Sequence, residues 1–363
     1  MRCRQETSCL ETQSPRNAPD KAGRPTNLKD EDLQRISSVL EEAYTPSTRG
    51  TYSTGLFAFH LFCNIKNIRE QHRAPMDPTI LASFISMLAG TYTGTTIKNF
   101  VYGVRAWHII HGAAWKINAT QLQTLLITGR RLTPPDTRKK EKAPWSIEYL
   151  EKICQGLNRK SPKDAAVLAC LTTAFWGTAR VGEVMVPDAK SFNPNVHVKP
   201  SDIRFEVQDK NGLVQTEFHL PWTKSAKEQG ENIYWAQQDG ASDPKAALAN
   251  PKINKPPING HLFAYKLGKG TRPMTRDSFI AHIHKVAKTM GLPPMPGHGI
   301  RVSSTLKYLL WGISFDVVKV KGRWKSDAFC LYLRQHTQIM APYMQANPAA
   351  FTNLVRHAMP PIR

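Results

Sequence analysis

Acidic residues are scarce in this chain of 363 residues: 28 Asp and Glu face 49 Lys and Arg, giving a formal net charge of +21 and a pI near 9.8. That imbalance says little about fold. It favours polyanionic partners, because each neutralised phosphate releases condensed counterions. Cysteines are few and badly placed for chemistry. Cys3, Cys9, Cys63, Cys154, Cys170 and Cys330 include no CxxC pair and have no histidine at zinc-finger spacing. A disulfide framework and a structural zinc site are therefore not expected, and the reading is a reduced, intracellular protein. Long apolar runs are also missing. None approaches eighteen residues, so no membrane span is expected, and the first residues lack the apolar core of a secretion signal.

What is present supports packed cores. Hydrophobic residues make up 41% of the chain, which sets it apart from wholly disordered sequences. The length allows two domains, at roughly 100–200 residues each. Residues 1–27 are rich in Arg, Ser, Pro, Thr and Asn and are expected to form a disordered tail. A helical domain follows over residues 28–132. Ile80, Phe84 and Leu88 repeat at helical spacing, as do Leu81, Ile85 and Ala89, and Ile97, Val101, Val104 and His108 mark another helix. Tyr52, Leu56, Phe59 and Phe62 predict an earlier one, with Thr45-Pro46-Ser47 as its cap and breaker. Residues 133–144 form a basic linker containing Pro134, Pro135, Arg138, Lys139, Lys140 and Lys142. It reads as a hinge and as a strap for a DNA backbone.

Residues 145–363 mix element types. Asp164 to Phe175 predicts a buried helix. Alternation at Ile203, Phe205 and Val207, then at Phe218, Leu220 and Trp222, and again around Ile233 predicts a small antiparallel sheet. Residues 236–260, polar and rich in Pro and Asn, read as an irregular insertion. Thr275 is placed to cap a helix carrying Phe279, Ile283 and Val286. The predicted class is α+β and mainly helical.

Seven residues carry candidate chemistry. Arg180 follows an apolar helix and a small-residue turn, with Glu183 three positions on; the pair reads either as a surface ion pair or as an arginine aimed at a ligand. Lys224 sits near a hairpin tip, where a lysine is usually a solvated charge that protects an edge, or else a mobile general acid. His298 and Arg301 open a helix after Pro293-Pro294-Met295-Pro296-Gly297. They lie one turn apart at an end whose free N–H groups favour a phosphate. Gly322-Arg323-Trp324 and Tyr332 complete the set, although a tryptophan is more often core.

Taken together, the order Arg180, Lys224, His298-x-x-Arg301, Gly322-Arg323-Trp324, Tyr332 resembles the tyrosine recombinase (phage-integrase type) family across residues 45–345. The run Gly322-Arg323-Trp324-Lys325-Ser326-Asp327-Ala328-Phe329 looks most like the Crypton-type recombinases of eukaryotic, notably fungal, mobile elements. The resemblance implies a helical SAM-like core-binding domain that grips DNA, and a catalytic domain with a small antiparallel sheet. Arg180 and Arg301 would hold the non-bridging oxygens of the scissile phosphate, with His298 beside it. Lys224, or its rival Lys227, would protonate the leaving 5′ oxygen. Tyr332 would form a covalent 3′-phosphotyrosine, with no metal and no other cofactor. Glu183 matches a supporting acidic position. One departure stands out. Many family members have Gly-His nine residues before the nucleophile; here Arg323 fits by spacing and is favoured as that phosphate donor, with Trp324, which fits by residue type, as the alternative.

The implied partner is double-stranded DNA, bound by a homo-tetramer on two paired sites; from their position after Tyr332, residues 333–363 are expected to pack on a neighbouring subunit. The implied location is the nucleus in a eukaryotic host and the cytoplasm otherwise. Two other readings belong to the same chemistry or its loss: a catalytically silent, domesticated DNA-binding protein, and a type IB topoisomerase-like enzyme.

Overall fold

Helix starts in this chain repeat one device, a short oxygen-bearing cap that is often followed by proline. The computed structural model describes residues 29–137 and 145–326, which divide into two compact units at Lys140/Glu141. The expected N-terminal tail, most of the charged linker and Tyr332 lie outside the described residues.

The first unit is helical: α1 (Asp30–Glu41), α2 (Pro46–Ile65), α3 (Pro78–Leu88), α4 (Gly94–His111) and α5 (Ala119–Arg131). Thr45 caps α2 by accepting from Thr48 N–H, Asp77 caps α3, Thr93 caps α4 and Asn118 caps α5. Each cap oxygen satisfies an N–H that the helix cannot pair itself, and Pro46 and Pro78 stand where a missing N–H costs nothing. The core gathers Phe59, Phe62, Leu81, Phe84, Ile85, Ile97, Val101 and Val104, the stripes expected from periodicity. Phe59 and Phe84 meet edge to face, with centroids 5.3 Å apart. Helices α2 and α4 touch backbone to backbone. A Cβ on Gly55 would stand 2.5 Å from Phe100 Cα, and one on Gly103 would stand 2.4 Å from the Tyr52 carbonyl. Glycine at these two positions therefore sets the helix separation.

The second unit is built around α7 (Pro162–Trp176), preceded by α6 (Ile147–Gly156). Every α7 residue from Ala165 to Trp176 is buried, so the helix is apolar all round and forms the centre of the core. A three-stranded antiparallel sheet lies in the order β1 (Ile203–Gln208), β2 (Val214–Leu220), β3 (Glu231–Trp235). Phe218, Leu220, Ile233 and Trp235 face the core, as their alternation predicts. Phe205 departs from prediction and is exposed. The β1–β2 register shifts between Arg204 and Val207, with Glu206 at φ 55°, so a bulge breaks the two-residue period there.

Residues 236–260 are more regular than expected. Helices α8 (Pro244–Ala247) and α9 (Asn250–Asn254) lie in this span, and both pack on α7. Two of its asparagines are buried hydrogen-bonding groups: Asn250 donates to the Leu262 carbonyl (3.0 Å) and Asn254 to that of Pro162 (2.9 Å). Composition alone reads as a loop because the partners at Leu262 and Pro162 lie outside the segment. A short hairpin, β4 (Tyr265–Leu267) and β5 (Gly270–Arg272), leads to α10 (Arg276–Thr289), α11 (His298–Leu310) and α12 (Phe315–Lys321). Thr275 caps α10, which buries Phe279 and Ile283 as predicted. The observed class is mainly helical α+β with a small antiparallel sheet.

His261 gives the second unit a definite acid response. Its ring is buried against Phe192 and Phe263. Burial, reinforced by nearby His197, pushes it down to about 3. An unfolded histidine titrates near ~6.5, so between the two values the unfolded chain binds the extra proton. This contribution is whole above about pH 6.5 and declines as the pH falls toward about 3. Between about pH 7 and pH 4 the loss should be roughly 3 kcal/mol. In His261→Phe that pH dependence should largely disappear from chemical-denaturation curves. An unchanged slope would show that the folded state keeps a protonated ring.

Candidate functional site

Two helix ends in the second unit share an uncommon construction. At the end of α7, Gly177 is the C-cap, and Thr178 N–H and Ala179 N–H reach back to the carbonyls of Phe175 (3.0 Å) and Ala174 (2.9 Å). At the end of α12, Gly322 is the C-cap, and Arg323 N–H and Trp324 N–H reach the carbonyls of Val320 (2.9 Å) and Lys319 (3.1 Å). Both are paired Schellman closures, and in both the left-handed residue is not glycine: Thr178 has φ 51° and Arg323 φ 57°. A side chain there costs on the order of 1 kcal/mol or more, so each is held by tertiary bonds. Thr178 and Ser304 of α11 share a hydrogen bond of 2.8 Å between buried hydroxyls. Arg323 is held by two carboxylates.

From the first of these ends the chain delivers Arg180. Its backbone N–H donates to Glu183 Oε2 (2.9 Å) and its Nη1 to Glu183 Oε1 (2.6 Å), while 37% of the side chain stays exposed. Glu183 is buried and also accepts from Arg323 Nη2 at 2.7 Å. Burial alone would raise its carboxyl. The Arg323 charge and hydrogen bond, with the two bonds from Arg180, outweigh that and hold it below the ordinary glutamate range. Arg323 is only 7% exposed at its side chain, and its Nη1 lies 3.3 Å from Glu231 Oε2.

Glu231 opens β3, opposite Leu220, and carries the network into the β2–β3 loop. Its Oε2 accepts from Thr223 Oγ1 (2.6 Å) and Ser225 Oγ (2.9 Å). Thr223 N–H in turn donates to the Ala226 carbonyl, and Ala226 N–H donates to Thr223 Oγ1, both at 3.0 Å. Lys224 projects from this closed turn between the two hydroxyl residues and is exposed, as is Lys227. Lys325 Nζ secures the same turn through the Ser225 carbonyl (3.0 Å).

Helix α11 supplies the rest. His298 stands exposed at its first residue, and Arg301, one turn later, is 3% exposed. The preceding Gly297 abuts the turn after Arg180: a Cβ there would stand 2.5 Å from Ile280 Cδ1 and 3.8 Å from Val181 Cγ2. Arg301 Nη2 donates to the Gly322 carbonyl, and its guanidinium lies 4.3 Å from the centroid of the Trp324 ring. Half-buried Lys321 anchors this end of α12. Its Nζ donates to the Tyr234 carbonyl (2.8 Å) over the Tyr308 ring (4.6 Å), and burial pushes the ammonium down to about 8.

Arg180, Arg301, Arg323, Trp324 and the turn bearing Lys224 thus belong to one connected structure, with His298 on the same helix start as Arg301. Tyr332 lies outside the described residues. Glu231, Thr223, Ser225 and Thr178 were not singled out from sequence. Each has its decisive partner in another element, and an acid at a strand start or a hydroxyl in a turn has no distinguishing local pattern. Chemically, the arrangement presents fixed guanidinium groups and, on the adjoining turn, the exposed ammonium of Lys224, a donor set suited to a phosphoryl oxyanion. Among the described residues, no three His, Cys, Asp or Glu side chains converge as a metal site, and no helix is long and apolar enough to cross a membrane.

Comparison with solved structures gives the fold. The chain is similar to the XerH site-specific recombinase bound to a palindromic difH substrate in a post-cleavage complex. The TM-score is 0.54 and identity 14%, over 86% of this chain and 83% of that one. It is similar as well to a lambda integrase dimer bound to a COC′ core site, with TM-score 0.52 and 15% identity over 85% of this chain and 77% of that one. No protein-family model and no curated protein matches the sequence. At this level of identity the likeness concerns architecture: the chain has the tyrosine recombinase fold.

Proposed function

We propose that this chain is a DNA strand-exchange enzyme that cuts and rejoins specific sites through a covalent 3′-phosphotyrosine bond, integrating or excising a mobile element of the Crypton type. The observation that carries the reading is the single network running from Arg180 through Glu183, Arg323 and Glu231 to the turn bearing Lys224, with Arg301 packed against the Gly322–Trp324 step. The fold supports it, since XerH and lambda integrase with that architecture are bound to their DNA sites. So does the charge of +21.

In this reading Arg180 and Arg301 grip the non-bridging oxygens of the scissile phosphate. Permanently charged, planar guanidinium suits the task better than lysine. Their placement is fixed before reaction, so they favour the more highly charged phosphorane-like transition state over the ground state. The Tyr332 hydroxyl attacks phosphorus and yields its proton to His298. The bond from phosphorus to the 5′ oxygen breaks, and Lys224 protonates that oxygen, with Lys227 as the alternative donor in the same loop. Rejoining reverses these steps: the 5′ hydroxyl attacks and the tyrosine leaves. One phosphodiester is exchanged for another, so neither ATP nor metal is required. In the helical unit, the groove lined by Ser47, Thr51, Thr54, Thr96 and Asn99 offers hydroxyl and amide groups for phosphates and base edges. A tetramer on paired sites, and a nuclear location in a eukaryotic host, belong to the same proposal.

The test is adduct trapping. The full chain is incubated with a nicked DNA library under EDTA and without ATP, then denatured in detergent. Labelled DNA should remain protein-linked until protease treatment, and sequencing the trapped strands should return a common site. Tight, salt-sensitive binding without adducts would favour a silent DNA-binding protein instead. Relaxation of arbitrary supercoiled plasmids would favour a topoisomerase.

A further inference from the structure

Arg323 occupies the position where spacing alone would place a phosphate donor, yet its two terminal nitrogens are directed at carboxylates. Nη2 meets Glu183 at 2.7 Å and Nη1 meets Glu231 at 3.3 Å, with the side chain 7% exposed. Each carboxylate is shared in turn with a different part of the site. Glu183 holds Arg180, at 2.6 Å, and Glu231 accepts from Thr223 and Ser225, the two residues flanking Lys224. The backbone at Arg323 is left-handed, a conformation an arginine adopts only when its surroundings compensate. Lys325, two residues on, clamps the same turn through the Ser225 carbonyl.

We infer that Arg323 is a positioning residue that registers the Lys224 turn against the Arg180 turn, and so acts on leaving-group protonation through Lys224 and not on the phosphate itself. The inference rests on the strand-exchange reading. Its physical basis is that a lysine on an exposed hairpin loop has many rotamers and a movable backbone, whereas proton delivery needs donor and oxygen within hydrogen-bond reach. Tying both hydroxyl neighbours of Lys224 to one half-buried carboxylate, and that carboxylate to a buried guanidinium, fixes where the stem of the lysine begins. Arg323 suits the task because one planar fork can span two carboxylates; an ammonium is a single point of charge. The supporting donor position then falls to Trp324, whose ring lies over Arg301.

The experiment compares two substrates carrying the trapped site, one natural and one with sulfur in place of the bridging 5′ oxygen. A thiolate leaving group departs without a proton, so a defect confined to proton delivery vanishes on the sulfur substrate. Lys224→Ala sets the reference pattern. Arg323→Gln should slow single-turnover cleavage of natural DNA by about 30-fold or more, yet cleave the sulfur substrate within about threefold of the unmodified chain. Arg323→Lys should recover only part of the natural rate. Glu231→Gln should reproduce the Arg323→Gln pattern; it leaves the Arg323–Glu183 pair in place and carries the test if Arg323→Gln does not fold. An equal defect on both substrates, or none on either, would overturn the positioning role. An unmodified chain that cleaves neither substrate would overturn the strand-exchange reading itself, and the clamp's role with it.

Discussion

Tyr332→Phe should yield no covalent protein–DNA adduct on a nicked substrate while retaining DNA affinity within about threefold. The substitution removes one oxygen atom, and that oxygen is the proposed nucleophile. Phenylalanine has no hydroxyl, so the step that leaves a phosphodiester on the enzyme loses its nucleophile. In the strand-exchange reading, binding rests on many phosphate contacts, to which a single phenol adds little. The result is therefore all-or-none in chemistry and nearly silent in binding, a combination that misfolding does not produce. Adducts that persist in the variant, traced by proteolysis and mass spectrometry to another residue, would displace Tyr332 as the nucleophile. The ten tyrosines of the chain make that mapping worth performing directly.

Arg301→Ala should lower single-turnover cleavage by roughly 10²–10³-fold, the loss of about 3 kcal/mol seen when a preplaced oxyanion donor is removed. Arg301 carries structural work as well. Its guanidinium donates to the Gly322 carbonyl and stacks on Trp324, so truncation deprives a buried carbonyl of that donor at about 1–3 kcal/mol. A thermal-shift measurement separates the two effects, and Arg301→Lys sharpens the distinction. Lysine keeps the charge and much of the packing but loses the fork that grips two oxygens. It should be markedly more stable than Arg301→Ala and still slow by at least about tenfold. Near-normal cleavage by a folded Arg301→Ala chain would remove the arginine clamp from the mechanism.

Much of the architecture could be read directly from the chain because it rests on local periodicity. The stripes Leu81–Phe84–Ile85–Leu88 and Ile97–Val101–Val104 become the core of the first unit. The caps Thr45, Thr275 and the His298 helix start are set by neighbours within a turn. Failures occurred where one residue changed a period or where polar groups found distant partners. The bulge at Glu206 turned Phe205 outward. Asn250 and Asn254, which read as loop residues, are buried donors.

The candidate site divides along the same line. Order and spacing, matched to the recombinase family they resemble, mark Arg180, Lys224, His298, Arg301, Arg323, Trp324 and Tyr332, since residue type and interval are properties of the chain. What each described side chain faces was decided by the tertiary structure. Glu231 lies 92 positions from Arg323 and Glu183 lies 140 positions from it, and no local pattern records that two acids will meet one arginine. On sequence, spacing favours Arg323 and residue type keeps Trp324 as the alternative. The left-handed turn after α12 separates them, directing the guanidinium inward to Glu183 and Glu231 and laying the indole over Arg301. The physical reason is that the direction of a side chain from a helix end depends on a backbone angle that only tertiary bonds hold in place.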